Sequence, residues 1–404
     1  MTWLINGNVV NVQDGSSRRG AAVEIVDGRI TQITQSDRVP AGADTIDLGG
    51  RYLLPGLISV HTHLSVTYPF SDTDPQESAG LTALRALSRA RDALYAGVTT
   101  IRSVHEQNRA DLLIRTAAQQ GWVEAPRILG AGRAISTTGG HGHGMATAYA
   151  DGYDGFLRAA REELAAGADH IKIFISGGIA SQGESLGAQM TLDEMRAVVR
   201  AAEEHSTYVV AHAGSAAAIR EALAAGVRSF EHAYDLDEET AREMARRGVF
   251  LTPTLCVTRC PEWMADHRFT DWQIARALEV GPMHLASIRR AVEAGVTLLA
   301  GTDYPPGEPI EDTVVAVREM EFLTDAGLSP LAALQAGTLH PARLLGLADQ
   351  IGQVAPGFVA DLVATDRDPT SDLSALRRIR FVMQAGRIVR NECEVVRNER
   401  EVSA

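Results

Sequence analysis

The sequence predicts an α/β fold: a (β/α)8 TIM-type barrel with a small β-sandwich built from both chain termini. Three observations lead there. Between the two ends, eight short apolar segments alternate with amphipathic helical patterns rich in Ala, Arg and Glu, the order expected of parallel strands joined by crossover helices. The helical patterns repeatedly stop at a glycine just before the next strand, at Gly97, Gly167, Gly226, Gly248 and Gly295. The first of the eight strands runs into His61-Thr62-His63 rather than the glycine-rich phosphate turn of a doubly wound open sheet, so eight repeats read as a barrel.

The elements follow in order. "LINGNVVNV" and "AAVEIVDGRITQITQ", the second turning at Asp27-Gly28, read as short strands, and "DTIDLGGRYLLPG" continues them. The eight barrel strands are "GLISVHTHL", "VTTIRSV", "RILGAGRAIS", "HIKIFIS", "TYVVAHA", "RSFEHA", "VFLTPTL" and "VTLLAGTD". After them, "GQVAPGFVADLVATD" and "IRFVMQAGRIVRN" are again short strands broken by glycine. "QAGRIV" near the end echoes "VDGRIT" near the start, so both ends are expected in one sheet. The expected domains are 1–56 plus 346–404, the composite sandwich, and 57–345, the barrel.

Composition narrows the function. At 404 residues and 45% apolar content the chain can bury a large core. Lys and Arg total 38 against 51 Asp and Glu, a formal net charge of −13, which disfavours nucleic acid or an anionic membrane as partner and favours a small molecule. Three cysteines, Cys256, Cys260 and Cys393, form neither a CxxC pair nor a disulfide framework. With no basic start, no apolar leader and no run near the roughly 18 apolar residues of a membrane span, the expectation is a soluble cytoplasmic protein. A symmetric homo-oligomer is the default expectation for such a chain.

Residues of metal-ligand type stand at the C-terminal ends of five strands: His61 and His63, Lys172, His212, His232 and Asp303. That end is where barrels build active sites. His61 and His63 are two apart on a strand and so point the same way. Any one of these residues alone reads as a cap or a structural contact, and their joint placement at equivalent points of a repeated unit is what points to metal. Lys172 is the only lysine in the chain and lies in the apolar strand "HIKIFIS". An unpaired ammonium there is costly, and burial lowers an amine's pKa from its usual value near 10.4.

With these motifs in hand, "PGLISVHTH", "HIKIF", "VVAHA", "FEHA", "AGTD" and the return segment "APGFVADLV" together resemble the amidohydrolase superfamily over nearly the whole chain. The resemblance implies a binuclear centre in which the lysine is carboxylated by CO2 and bridges two divalent ions. By that resemblance His61, His63 and Asp303 hold the more buried ion, His212 and His232 the more exposed one, and Lys172, as N6-carboxylysine, both. Zinc is the default, with Mn, Co or Fe also compatible with such ligands. Two metals sharing a hydroxide would supply a nucleophile at neutral pH, and Asp303 would carry the proton to the leaving amine.

Within the superfamily the chain is most similar to the imidazolonepropionase-related branch, with its prolidases, its carboxypeptidases acting on C-terminal Arg or Lys, and its hydrolases of amides and ureas. The expected reaction is hydrolysis of an amide or peptide C–N bond, with a carbamate, urea or ester as the alternative. "STTGGHGHG" resembles that branch's substrate loop and makes His141 the expected carbonyl contact, with His143 beside it. Prolidase-like relatives carry a tyrosine two residues after the strand-five histidine. Here Gly214 stands in that place, and Tyr234, two residues after His232, is read as the replacement hydroxyl or as a packing residue.

The branch's frequent aspartate before HxH is Ser59, and its Arg-Asp pair is Arg102-Ser103, followed by His105. Arg102 and His105 are therefore expected at the substrate, with Arg133 and Arg259 as further carboxylate receivers. The segment Thr258 to Pro282, bearing Trp263, Met264, Phe269 and Trp272, is read as a lid over an apolar substrate part or as ordinary packing. A mononuclear deaminase or cyclic-amide hydrolase fits less well, because Ser215 stands where those enzymes carry a proton-shuttling Glu or Gln. A non-catalytic scaffold fits least, since all six ligand positions are kept.

Overall fold

The structure, a computed structural model, describes residues 1–179 and 185–393. Residues 394–404 of the expected composite domain lie outside that range. All eight expected strands form: Leu57–Thr62, Val98–Ser103, Arg127–Gly130, Ile171–Phe174, Val209–Ser215, Ser229–Asp235, Phe250–Thr252 and Thr297–Leu298. The first three pair in parallel as one sheet. The other five pair in parallel in a seven-stranded sheet that also takes in Ile135–Ser136 and Ala148–Tyr149.

The expected third strand is thus divided. Arg127–Gly130 bonds to the second strand and Ile135–Ser136 to the fourth, with the glycines of "LGAGR" breaking the run between them. Single backbone hydrogen bonds link the two sheets on both flanks. On one side the Val60 amide donates to Ala300 O (3.0 Å) and the Thr302 amide to His61 O (2.9 Å); on the other the Asp169 amide donates to Gly130 O (2.8 Å). The first approach needs glycine at 301, where a Cβ would stand 2.6 Å from the His61 nitrogen.

Strands Leu57–Thr62, Val98–Ser103 and Ile171–Phe174 are buried at every position. A strand covered on both faces reads as a continuous apolar run, which is why the polar exceptions in these strands were informative. Helices cover them, as Leu192–Glu204 illustrates. Its start is a capping box of Thr191 with Glu194, and its buried stripe includes Met195, Val198, Val199 and Ala202. The expected C-cap glycines end their helices in the left-handed conformation at Gly226, Gly248 and Gly295.

The two chain ends do meet. One eight-stranded sheet runs from the C-terminal strands to the N-terminal ones, joined where Leu362–Thr365 lies antiparallel to Tyr52–Pro55. Leu4, Val23, Ile25, Leu53, Leu362 and Phe381 pack in its own apolar cluster. Among the described residues, no helix is long and apolar enough to cross a membrane.

One buried acid in the helical layer makes stability pH-dependent. Glu319, on helix Val315–Asp325, accepts the amides of Leu255 and Cys256 at 2.8 Å each. Burial nonetheless pushes its carboxyl up to about 7 from an ordinary 4.5. The folded state then binds more protons than the unfolded one between pH 4.5 and 7, so stability falls as pH rises through that window, by an amount on the order of 3 kcal/mol. Glu319→Gln is expected to flatten this slope, shrinking the loss of Tm between pH 5 and pH 8 by a few degrees. An unchanged slope in thermal melts would contradict the assignment.

Candidate active site

His61 is the last residue but one of its strand and His63 follows the strand's end, both buried. His61 Nδ1 sits 2.5 Å from Glu231 Oε2, and His63 Nδ1 sits 3.0 Å from the His105 carbonyl. A carboxylate and a carbonyl only accept, so each Nδ1 carries the hydrogen and each Nε2 presents a lone pair. Both lone pairs face the same atom: Asp303 Oδ1 is 2.9 Å from His61 Nε2 and 3.0 Å from His63 Nε2. Three acceptors at this range repel one another unless a cation lies among them. Bonds of about 2.1 Å at right angles would space them by about 3.0 Å, so this set is able to hold a metal ion.

The remaining expected ligands converge on the same cavity. His232 Nδ1 is 2.6 Å from Thr254 Oγ1, whose hydroxyl is given to Pro253 O, so the ring donates there and leaves Nε2 as acceptor. His212 Nε2 faces the Gly177 carbonyl at 3.3 Å and so donates, leaving Nδ1 as acceptor. The His212 and His232 rings are 4.5 Å apart. His232, Thr254 and Asp303 all have positive φ, at 70°, 55° and 64°. Such backbone costs roughly 1–3 kcal/mol per residue and clusters where a site needs it.

Lys172 is 1% exposed and lines the cavity with these residues, and among the described residues its Nζ makes no hydrogen bond or ion pair. Its Nζ lies over the face of Phe174, 5.7 Å from the ring centre. Burial lowers its amine to about 8, with Arg102 pushing the same way and Glu231 and Asp303 opposing. Roughly a tenth of it is then neutral at pH 7. Burial likewise holds the His212 and His232 imidazoles well below their ordinary value. Neutral imidazoles, a carboxylate and an amine that readily loses its proton are the forms that bind metal.

The cavity above this group has a volume of about 540 Å³, in the range of sites for small molecules. His141, His143 and Tyr234 all line it, as expected. His141 stacks on His212 with ring centres 4.1 Å apart, and Tyr234 stacks on His232 at 5.3 Å. Gly178 is what lets His141 come so close, since a Cβ there would stand 2.4 Å from its ring.

The sequence matches the Amidohydrolase family over residues 52–389. This chain belongs to the amidohydrolase family. Among its relatives is the ochratoxinase of Aspergillus niger, 27% identical over 363 residues that cover 82% of this chain and 73% of that one. The imidazolonepropionase of Aeromonas hydrophila is 26% identical, over 88% of this chain and 87% of its own. The crystal structure of a prolidase complexed with N-methylphosphonate-L-proline superposes with a TM-score of 0.87 at 30% identity, covering 96% of this chain and 99% of that one. The amidohydrolase described here is accordingly a hydrolase of C–N bonds.

Two expected substrate contacts are corrected by the structure of this amidohydrolase. Arg102 is fully buried beneath the cavity, with its guanidinium on Glu231 Oε1 (2.8 Å), the Val60 carbonyl and Ser229 Oγ (3.0 Å). It holds Glu231, which holds His61, and it does not line the cavity. His105 is equally buried, its Nδ1 accepting the Ala134 amide and its Nε2 donating to Met145 O, so both ring nitrogens are spent on backbone. Arg133 is taken by Glu163 and Arg259 by Asp325. Of the residues in the segment read as a lid or as packing, Met264, Phe269 and Trp272 line the cavity, whereas Trp263 is buried against Tyr304 at 4.0 Å.

Sequence reasoning missed three groups that set the amidohydrolase site. Glu231 orients His61 and is held down to about 2, burial acting upward while Arg102 and His61 outweigh it. Glu106 accepts the Leu64 and Ser65 amides and so shapes the turn after His63. Thr254 orients His232. The clue for Glu231 was available, because it is an ionisable residue inside the apolar strand "SFEHA", the same anomaly that singled out Lys172. Thr254→Val, which keeps volume but removes the acceptor for His232 Nδ1, is expected to weaken metal affinity about 10-fold. Chelator competition measures this, and an unchanged affinity would remove Thr254 from the site.

Proposed function

We propose that this amidohydrolase hydrolyses an amide or peptide bond of a small molecule at a centre of two divalent metal ions, zinc being the default. His61, His63 and Asp303 would hold one ion, His212 and His232 the other, and Lys172, once carboxylated, both. The observation that carries this reading is Lys172, a buried amine without a polar partner among the described residues, facing the same cavity as the other five. Reaction of its neutral Nζ with CO2 forms one N–C bond, releases one proton and leaves an anionic carbamate whose two oxygens suit two ions. Bound metals supply a lowered water pKa and polarise a carbonyl.

The chain's own residues supply the rest. Asp303 accepts the proton of the attacking water and delivers it to the departing nitrogen. His141 and Tyr234, stacked on the rings of His212 and His232, would donate to the carbonyl oxygen as charge develops on it. His143 lies further out on the same wall as a substrate contact. We further infer that the eight parallel strands close into one barrel comprising 57–345, that the terminal sheet folds over its core as a sandwich of 1–56 and 346–404, and that the enzyme is a cytoplasmic homo-oligomer. Names of relatives such as prolidase support the amide chemistry.

The test is metal analysis of enzyme reconstituted with zinc and bicarbonate, followed by a hydrolysis screen against N-acyl amino acids, dipeptides and aryl amides, with Asp303→Asn as blank. Two ions per chain and turnover of an amide at least about 10³-fold above the blank are expected. A single ion, or equal turnover by Asp303→Asn, would sink the proposal.

A further inference from the structure

The cavity that receives the substrate is unusual for a peptidase in what it omits. Among the described residues lining it there is no arginine, and the only lysine is Lys172 on its floor. A dipeptide or N-acyl amino acid would carry a carboxylate into this space. Without a guanidinium or ammonium opposite, that charge loses hydration with no side-chain cation on the wall to pair it.

The nearby arginines are committed elsewhere. Arg102 is bound to Glu231 below the site, and Arg89 donates to the Leu64 and Val66 carbonyls. Arg109 and Arg133 share one carboxylate, Glu163, and border a separate cavity on the far side of His143. His141 and His143 add imidazole rings to this wall. Facing them are Phe70, Phe174, Met264, Phe269 and Trp272, a predominantly apolar surface with Thr270 and Gln273 among the polar positions.

We propose, building on the amide-hydrolase reading, that the substrates are amides uncharged on both sides of the scissile bond and bearing an aryl or similar apolar group, rather than free-acid peptides. Phe269 and Met264 would receive that group and Trp272, 38% exposed on helix Asp271–Ala294, would cover it. Hydrolysis then requires only water: the C–N bond breaks, a C–O bond forms, and the nitrogen leaves as an amine carrying the proton from water. The carboxylate product is itself poorly matched to the cavity, which favours its release.

The experiment uses one matched pair, N-benzoyl-phenethylamine and N-benzoyl-L-phenylalanine, which differ by a single carboxylate beside the same bond. Turnover is measured at pH 8 with the metal-loaded enzyme and binding by calorimetry with metal-loaded Asp303→Asn. The neutral amide is expected to exceed the acid by about 100-fold or more in kcat/KM and to bind selectively. Trp272→Ala is expected to lower kcat/KM for the neutral aryl amide about 10-fold while leaving N-methylacetamide unaffected. Equal or better turnover of the acid overturns the proposal and directs attention to Arg109 and Arg133 across His143. If neither compound is hydrolysed but the neutral one binds selectively, the amide-hydrolase reading fails and the cavity assignment stands. If neither binds, the assignment fails.

Discussion

Lys172→Arg is expected to abolish hydrolysis, lowering kcat/KM by at least about 10³-fold, roughly 4 kcal/mol of transition-state stabilisation. Arginine keeps a positive charge and nearly the same length, so a lysine acting as a plain cation would tolerate the change in part. It cannot form a carbamate, and its fixed charge would face the lone pairs of His212 and His232 beside it. Lys172→Ala is expected to lose activity equally while folding normally, because the strand Ile171–Phe174 keeps its buried isoleucine and phenylalanine neighbours. Metal analysis separates the causes. Both variants should bind fewer than two ions per chain, and retention of two ions with full activity in either would remove Lys172 from the centre.

Glu231→Gln is expected to damage stability and metal binding together, for different reasons. Arg102 would be left as a buried charge without its partner, a loss of roughly 3–5 kcal/mol. His61 would lose the carboxylate that fixes its tautomer, costing about 10- to 100-fold in metal affinity. The double variant Arg102→Met with Glu231→Gln distinguishes the two effects. Removing both charges should restore much of the Tm but none of the metal affinity. Recovery of both would mean that Glu231 serves only to neutralise Arg102.

The order of strands and the convergence of ligands were legible because both are local properties. Period, burial pattern and C-cap glycine are written within about ten residues of each strand, and the C-terminal end of a parallel strand is known once its direction is known. That is why His61, His63, His212, His232, Asp303 and Lys172 could be placed on one face from their strand ends alone. Arg102 and His105 were misjudged by the same logic. They stand at the correct end of their strand, yet which neighbour satisfies a buried guanidinium or imidazole depends on chain far away, and Arg102 finds Glu231 at 129 residues' distance.

Local pattern and residue chemistry were thus sufficient for the α/β class, the positions of the metal-type residues and the burial of the single lysine among them. Tertiary structure alone decided which imidazole nitrogen faces the cavity, that Glu231, Glu106 and Thr254 stand behind the site, and that among the described residues the pocket wall carries aromatic side chains and no guanidinium. The physical reason is the range of the forces involved. Backbone periodicity is set by near neighbours, whereas pairing and desolvation of a buried charge are settled by whatever the fold brings within 3 Å, here His61 against Glu231 across 170 residues of chain.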